Sequence, residues 1–485
     1  MRRLLRLTLI AIGLIFCTTL FIALSRKSSQ KPVQWLGTAV ADTAAFLRLA
    51  ESLQFRTESQ DGTGSNYKRD SAMQLLHEWL RDKYPLIHSR AMVHYFGKGS
   101  VLFTLHGKNP KLQPCMFSAH LDVVPVLPKE ALMWRFRPYD GIIHKDTLWG
   151  RGSQDDKFSV LAILEAVESM LKSDRLPQHT ILLAFGHDEE TGGHEGAAEI
   201  AKWLEKQNIQ PAFISDEGLG LTQGIVPGIQ KPVALIGISE KGFLSLRLEI
   251  RTGGGHSSMP KANNACKRLT QALNRIENYR FPARLDGPMH GFFQNAAPEM
   301  SGLYRYIFSN LWLTSPLVKW QLSQNEKTDA SIRTSHVTTM LFAGDKENVV
   351  PAMAWAVVNF RILPGDSIHG IMHKINTLIN DTAIHISIYN DHNEAAPVSP
   401  HDGWAWDCME TAIKQTYQDA VVLPGLMIGG TDSKNYTRIC KNIYRFAPLR
   451  IQGNSTDGIH GINERLPMTE YAEAIAFYRN FISQL

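Results

Sequence analysis

Five short segments of the chain combine carboxylate and imidazole side chains. They are A-H-L-D at 119–122, Q-D-D-K at 154–157, H-D-E-E at 187–190, S-D-E-G at 215–218 and T-D-G-I-H-G at 456–461. Carboxylates crowded into one pocket raise one another's pKa until they bind protons, unless a cation neutralises them. Carboxylate and imidazole ligands without cysteine suit catalytic zinc, cobalt or manganese. The residue types therefore indicate a hydrolytic site with one or two divalent metal ions.

Three of these segments directly follow apolar runs that predict buried strands. The runs cover residues 115–118, 180–185 and 212–215. Each segment alone has an ordinary structural explanation, because H-x-D pairs are common and E-E pairs at strand ends are usually solvated. Ligands of open α/β sheets bind beyond the carboxyl ends of the strands. The joint position of the segments at strand ends therefore favours one shared site.

The elements that must position these residues alternate between strands and helices. A further strand is predicted at 101–105, and helices at 41–53, 71–80, 159–172 and 195–207. After residue 397 the pattern predicts a helix at 403–418, a strand at 443–446 and a helix at 469–483. This alternation indicates an α/β fold with a mixed central sheet flanked by helices.

The pattern changes near residue 240. Residues 243–250 and 354–363 alternate apolar with polar side chains, which predicts strands with one solvated face. Helices predicted at 263–278 and 367–380 would cover the other face. We therefore predict an inserted α+β lid or dimerisation domain at 240–395. It interrupts a catalytic domain formed by residues 40–239 and 396–485.

The N-terminus predicts a membrane anchor. Three arginines precede an uncharged run at 7–24, and a basic pair follows it. Such a run reaches about 27 Å as a helix, enough to cross a bilayer core. We therefore expect an uncleaved signal anchor at 1–24 with a cytoplasmic N-terminus and a polar linker at 25–39. The catalytic domain would face the periplasm or a lumen. Secretion after signal cleavage is the alternative.

The overall composition excludes several protein classes. The 485 residues include 44% hydrophobic and 20% charged side chains, which excludes a disordered chain. A net charge of +5 without clustering gives no basis for a nucleic-acid partner. The five cysteines are scattered, so we expect inert thiols and no disulfide framework.

Seven motifs together resemble one known family. They are S-A-H-L-D-V-V-P, W-G-R-G-S-Q-D-D-K, D-E-E-T-G-G, S-D-E-G, G-G-G-H-S-S-M-P, E-N-V-V-P and N-F-R-I-L-P-G. Their order resembles the di-zinc metallopeptidase family of aminoacylase, carboxypeptidase S and the secreted N-fatty-acyl-amino-acid synthase/hydrolase. The resemblance runs from about residue 45 to the C-terminus and favours the carboxypeptidase S-like branch.

The resemblance implies a ligand set for two zinc ions, with cobalt or manganese as alternatives. His120 and Asp216 would hold one ion, and Glu190 and His460 the other. Asp155 would bridge the two ions, with a cis peptide to the next residue. Some relatives place glutamate at the position of Asp216.

The resemblance also implies catalytic and substrate-binding roles. They fall to Glu189 as general base, Asp122 as the residue that orients His120, His256 as oxyanion donor, and Asn348, Arg361 and Gly430 as substrate-binding residues. His256 often acts across a dimer interface in this family, so a homodimer through the inserted domain is one expectation. The other is that the long stretch 281–335 completes the site within one chain. The alternative role for Arg361 is a structural pair with an internal acid.

These features predict a membrane-anchored di-zinc hydrolase. It would cleave an amide whose leaving group is an amino acid with a free carboxylate, in a small molecule or short peptide. N-acyl amino acids and the C-terminal residues of peptides both remain open, and the apolar stretch 304–320 could wall an acyl pocket or simply pack the lid. The alternative is an inactive relative that acts as a binding ectodomain.

Overall fold

A computed structural model describes residues 1–40, 42–59, 67–451 and 458–485. Ala41, the start of one predicted helix, and Thr456 and Asp457 of the last acidic segment lie outside these residues. The helices are α1 (Arg2–Ser25), α2 (Thr43–Ser52), α3 (Tyr67–Lys83), α4 (Pro85–Arg90), α5 (Pro128–Ala131), α6 (Lys157–Lys172), α7 (Ala197–Lys206), α8 (Ala265–Glu277), α9 (Pro288–Ala296), α10 (Gly302–Ser309), α11 (Leu311–Leu322), α12 (Glu326–Ile332), α13 (Ile368–Ile379), α14 (Gly403–Thr416) and α15 (Met468–Ile482). Short 3₁₀ turns occupy Glu189–Thr191, Ala297–Glu299 and Asp432–Tyr436.

The strands form one large sheet and three smaller ones. They are β1 (Met92–Phe96), β2 (Ser100–Leu105), β3 (Cys115–His120), β4 (Ile142–His144), β5 (Thr147–Trp149), β6 (Ile181–Gly186), β7 (Phe213–Thr222), β8 (Val233–Glu240), β9 (Gly242–Arg251), β10 (Gly255–His256), β11 (Ser335–Ala343), β12 (Val349–Val350), β13 (Met353–Ile362), β14 (Ile384–Ile388), β15 (Val421–Met427), β16 (Ile443–Ile451) and β17 (Arg465–Pro467). The large sheet has the order β1-β2-β6-β3-β7-β16-β8-β15. One of the small sheets has three strands, in the order β17-β5-β4.

The large sheet is mixed and covered on both faces. Strand β3 runs parallel to both β6 and β7, whereas β1 and β2 join the edge antiparallel. Phe117 packs in the core that contains α6, α14 and α15, and the next residue back, Met116, packs with α7 on the opposite face. Alternate side chains of a strand point to opposite faces. This arrangement confirms the predicted α/β fold.

A separate antiparallel sheet with the order β11-β13-β9-β14 lies within 240–395. Alternate residues of β9 and β13 form its core with α8 and α13, because period-2 patterning buries only one face. Beside this sheet, β10 and β12 pair through just two residue pairs, Gly255 with Val350 and His256 with Val349. We call this pair the β10–β12 ribbon.

Residues 281–335, which follow α8 in the chain, belong to a different hydrophobic core. Helix α9 and the turn after it pack with Val421 and Leu423 of β15, at the edge of the large sheet. Helices α10 and α11 continue outward from α9. The stretch 281–335 thus connects the smaller sheet to the catalytic sheet.

The segment after α1 is docked on the catalytic domain. Gln30 exchanges two hydrogen bonds with the backbone of Val422, each of 2.8 Å. The Lys414 ammonium donates to the carbonyl of Lys31 at 2.8 Å, and the Trp35 indole donates to that of Thr416 at 3.2 Å. Residues expected to form a free linker therefore run along the surface of α14 and β15.

Candidate metal and catalytic site

His120 lies at the carboxyl end of β3, beside the loop that follows β6. The parallel register aligns His120 with Gly186, the last residue of β6. Because both strands end at the same edge of the sheet, the H-D-E-E segment begins next to the imidazole. The strand-end prediction therefore places these two segments together correctly.

Asp122 holds both the His120 ring and the neighbouring turn. The His120 Nδ1 atom lies 3.0 Å from the backbone oxygen of Asp122 and 3.3 Å from its Oδ1. The same carboxylate accepts hydrogen bonds from the backbone N–H groups of Glu189 and Glu190, both at 3.2 Å, and from Ser59 at 2.6 Å. With Nδ1 engaged, the Nε2 atom is directed toward the carboxylates of Asp155 and Glu217, as a metal-binding histidine requires. None of the sequence motifs contains Ser59.

Asp155 lies between two histidines. Its Oδ1 is 2.9 Å from His120 Nε2, and its Oδ2 is 3.0 Å from His460 Nε2. His460 Nε2 is also 3.1 Å from Glu190. The peptide between Asp155 and Asp156 is cis. One carboxylate with an oxygen toward each imidazole is the arrangement that a bridging ligand needs.

The structure brings Glu217, and not Asp216, to this cluster. Glu217 Oε1 lies 3.7 Å from His120 Nε2, and His120, Asp156 and Glu217 form one candidate metal group. Asp216 is buried elsewhere and accepts a hydrogen bond from the backbone N–H of Ser433 at 2.8 Å. Adjacent residues of a strand point to opposite sides, so only one of the two can face the cavity. The structure therefore places Glu217 in the donor cluster, and the expected ligand Asp216 has its hydrogen bond outside it.

Glu464 fixes the backbone that carries Asp155. Its buried carboxylate accepts hydrogen bonds from the N–H groups of Gly152, Gln154 and Asp155 at 3.0, 2.6 and 3.2 Å. It also pairs with Arg151 at 2.8 Å. Sequence reasoning missed this role, although Glu464 lies only four residues after His460.

The electrostatics of the cluster favour a bound cation. Burial raises the pKa of Glu217 well above its usual value, and nearby Asp155 and Asp156 raise it further against the opposing effect of His120. Burial also raises the pKa of Glu190, whose Oε1 is enclosed without a hydrogen-bond partner among the described residues. His120, Asp155 and Glu190 form a second candidate metal group. The donor set therefore fits divalent metal ions, which His120, Asp155, Glu190, Glu217 and His460 would hold.

The cluster opens into a cavity of about 970 Å³ that Glu189 also lines. Burial raises the pKa of Glu189 well above its usual value, with further contributions from Asp432 and Glu190. A carboxyl group held beside the donor set and next to open space is placed to exchange a proton with a reacting water.

Arg361, Lys241, Gly429 and Gly430 line the same cavity. The Lys241 ammonium donates three hydrogen bonds to residues within 330–335, and burial lowers its pKa to about 7, so the cationic side chain of this lining is Arg361. The Arg361 guanidinium lies 4.8 Å from the centre of the Phe243 ring, and it has no ion-pair partner within the described part of the chain. Burial lowers its pKa, although arginine stays charged. The alternative role of Arg361, a structural pair with an internal acid, is therefore not seen among the described residues.

His256 and Asn348 lie outside this cavity. Both are exposed on the β10–β12 ribbon, and His256 contacts its neighbour Ser258 at 2.8 Å. The backbone oxygen of Asn348 accepts a hydrogen bond from Ser257 at 3.3 Å. The structure thus brings the two predicted residues to each other but not to the donor cluster. Residues 304–320 are likewise absent from the described lining of the cavity.

The fold and the donor cluster define a metal-dependent hydrolase of the α/β class. The model of peptidase family M20/M25/M40 matches residues 116–484, so the chain belongs to this family of peptidases. The match confirms the resemblance found in the motifs and the prediction of a metallopeptidase-type enzyme.

Similar proteins cover most of the chain. A probable carboxypeptidase S-like 2 of Dictyostelium discoideum is 37% identical over 447 residues, which are 92% of this chain and 86% of that protein. N-fatty-acyl-amino acid synthase/hydrolase PM20D1 of Mus musculus is 34% identical over 411 residues, 84% of this chain and 81% of that protein. The M20 metallo-carboxypeptidase Sso-CP2 of Sulfolobus solfataricus shares the fold at 19% identity, with a TM-score of 0.67, 91% of this chain and 98% of that one covered.

Proposed function

We propose that the protein is a membrane-anchored, dinuclear metal amidohydrolase that releases an amino acid with a free carboxylate. The observation that carries this proposal is one cavity lined by proposed metal donors, by Glu189 and by the guanidinium-bearing Arg361. An amide with an anionic end matches this combination of side chains.

The proposed metal ligands are His120, Asp155, Glu190, Glu217 and His460. The donor set suits two zinc ions, with cobalt or manganese as alternatives. When bound, such ions lower the pKa of a water and polarise the amide carbonyl.

Glu189 accepts a proton from the attacking water and returns it to the leaving nitrogen. The water oxygen bonds to the carbonyl carbon as the carbon–nitrogen bond breaks, which yields a carboxylic acid and a free amino acid. Asp122 keeps the His120 ring oriented during this exchange. His256 would donate a hydrogen bond to the oxyanion once the β10–β12 ribbon of the same or a second chain reaches the cavity.

Arg361 binds the carboxylate of the amino acid. A guanidinium presents a planar fork of donors that matches a carboxylate, and its partly buried position strengthens the interaction. Gly430 lines the same cavity and would allow close approach of the substrate. The inserted domain at 240–395, which carries Arg361, would act as a lid or dimerisation domain.

The substrate class is an N-acyl amino acid or the C-terminal residue of a short peptide. The similar proteins include one named for each class, a carboxypeptidase S-like protein and an N-fatty-acyl-amino acid hydrolase. An enzyme catalyses both directions, so synthesis from a fatty acid and an amino acid belongs to the same proposal.

Helix α1 is proposed to anchor the protein in a membrane. It has 24 residues and a mean hydropathy of 2.6 in its most apolar window, and most of its surface is exposed. Basic residues before it would keep the N-terminus in the cytoplasm and place the catalytic domain on the other side. Cleavage of α1 as a signal peptide, followed by secretion, is the alternative.

The test is amino acid release by the full chain in detergent after addition of zinc. The substrates are N-oleoyl-phenylalanine, N-acetyl amino acids and dipeptides with a blocked N-terminus, and E189Q is the control. We expect release from at least one class and none from E189Q. No release from any of them by a chain that binds two metal ions would refute the substrate proposal.

A further inference from the structure

Helices α10 and α11 expose a continuous apolar surface. Exposed fractions are 70% for Leu303, 65% for Trp312, 52% for Leu317 and 60% for Trp320. Residues 312, 313, 316, 317 and 320 of α11 recur at helical spacing and share one face. The sequence contains no aspartate or glutamate between 300 and 325. Soluble proteins rarely expose large apolar patches, so we expect a partner to cover this α10–α11 surface.

The neighbour of this surface is α1. The hydroxyl groups of Thr19 and Tyr306 lie 2.6 Å apart, and Asn310 donates a hydrogen bond to the Thr19 carbonyl at 3.1 Å. The rings of Phe16 and Tyr306 lie 6.2 Å apart. Arg305 donates to the carbonyl of Ala23 at 2.8 Å, near the end of α1. The last third of α1 is therefore packed along α10.

These contacts fix the depth of α10 if α1 spans a bilayer. Phe16 is eight residues before Leu24, the end of the apolar run, which is about 12 Å along a helix. A bilayer core is about 30 Å thick. Tyr306, which packs on Phe16, would then lie within the hydrocarbon, and α10 would have to enter the same leaflet.

Several polar groups at this level have hydrogen-bond partners within the protein, whereas Asn310 Oδ1 and the Ser309 hydroxyl have none among the described residues. Thr19 and Asn310 make their hydrogen bonds with α10 and α1, and Arg305 also donates to the carbonyls of Arg26 and Pro298 at 2.8 and 3.0 Å. Such internal partners are required inside lipid, where water is not available. Tryptophans such as Trp312 and Trp320 are typical of the boundary between lipid and water.

The docked segment after α1 links the end of α1 to the catalytic domain. Gln30, Lys31 and Trp35 are hydrogen-bonded to β15 and α14, only a few residues after the end of α1. The catalytic domain is therefore held close to the point at which α1 leaves the membrane.

We propose that the α10–α11 surface is embedded in the membrane leaflet that holds the C-terminal third of α1. The partner is the acyl-chain region of a phospholipid bilayer. This inference rests on the proposed anchoring by α1, but it does not rest on the hydrolytic function.

The experiment uses the full chain reconstituted in phosphatidylcholine vesicles with and without brominated acyl chains, which quench tryptophan fluorescence. Helix α1 contains no tryptophan, so its insertion alone gives no quenching. We expect brominated lipid to quench the wild-type fluorescence and the W312F/W320F variant to lose most of that quenching. The control W404F, which removes a tryptophan on α14 that is 43% exposed, should keep it.

A second variant tests the surface with charge. We expect L313E/L317E to lose most of the quenching and to keep the hydrolysis of a soluble N-acetyl amino acid, which shows that it folds. Quenching that is the same in the wild type and W312F/W320F would overturn the proposal, whether water or a second copy covers the surface. Failure of the wild type to float with vesicles would also overturn it. Because hydrolysis is measured separately in detergent, neither result would count against the proposed activity.

Discussion

The donor cluster and the β10–β12 ribbon differ in how firmly the fold holds them. His120, Asp122 and Glu464 are buried, and their hydrogen bonds connect three neighbouring segments of the catalytic domain. His256 and Asn348 are exposed on a ribbon of two residue pairs. Catalytic groups are most effective when neighbouring residues hold them in place before the substrate binds.

A single chain therefore holds in place only part of the proposed catalytic machinery. Four of the five proposed metal donors already line one cavity with Glu189 and Arg361. His256 is not among the described residues that line this cavity, so its proposed role depends on closure or on a second copy. The predictions below test each side of this contrast.

The largest effect is expected for E189Q. Loss of the proposed general base should lower kcat by about 10²–10⁴-fold, because general acid–base catalysis contributes that much. Bound metal and the Tm should stay near wild type, since Glu189 donates no ligand in the proposal. The measurements are steady-state kinetics, metal content and thermal unfolding. E199Q, at an exposed position on α7, is the matched control, and equal activity of the two variants would contradict the assignment.

H256A should lower kcat by about 10²–10³-fold, the usual contribution of an oxyanion donor. We expect activity to return when H256A and E189Q chains are mixed, because His256 lies outside its own cavity and a mixed dimer would hold one complete site. The measurement is the specific activity of the mixture after subunit exchange. Mixed dimers without activity would instead assign His256 to closure within its own chain.

Substitutions at Glu217 and Asp216 distinguish the proposed metal ligand from the residue next to it. E217Q should lower kcat/KM by about 10–100-fold at limiting zinc and weaken the binding of one metal ion. D216N should keep two bound metals, because its carboxylate supports Ser433 and not the donor cluster. Metal titration of both variants is the measurement. Two metals in E217Q and one in D216N would restore the original expectation.

Arg361 belongs to the inserted domain yet already lines the cavity. R361A should raise KM by about 10–100-fold, since a hydrogen bond to a charged group contributes about 1.5–3 kcal/mol. R361K should fall between R361A and wild type, because it keeps the charge and loses the planar fork. Substrates with an amidated carboxyl end should show no such difference between the variants. If they did, Arg361 would not bind the carboxylate.

The local patterns predicted what depends on neighbouring residues. Short apolar runs located β3, β6 and β7, and hence the positions of His120 and Glu190. Such runs could not tell Asp216 from Glu217, because a shift of one residue in a strand exchanges the inner and outer faces. The expectation from the motif named Asp216, whereas the folded chain brings Glu217 to the donor cluster.

Features that depend on distant contacts were not predictable. Strands β8 and β15 were missed, and so was the docking of residues 26–40, which follows from hydrogen bonds to partners almost 400 residues away. Glu464 and Ser59 act through hydrogen bonds to backbone and side-chain groups that only the folded chain brings near. The position of α10 beside α1 likewise joins segments almost 300 residues apart.

The smallest effect concerns Glu470 in the catalytic domain, outside the donor cluster, a partly buried acid that should affect stability through pH. Burial raises the pKa of Glu470, at the start of α15, to about 7 from its usual 4.5. Between these values the folded protein binds more protons than the unfolded chain, so the contribution of Glu470 to stability is full below pH 4.5 and is lost as pH rises through 7. E470Q removes this titration and should flatten the fall in Tm across that window by a few degrees at most. The matched control is E473Q, which removes a carboxylate that pairs with Arg450 at 2.6 Å and should lower the Tm at neutral pH instead. If the Tm of E470Q depended on pH as the Tm of the wild type does, the titration of Glu470 would not contribute to the stability of the folded protein.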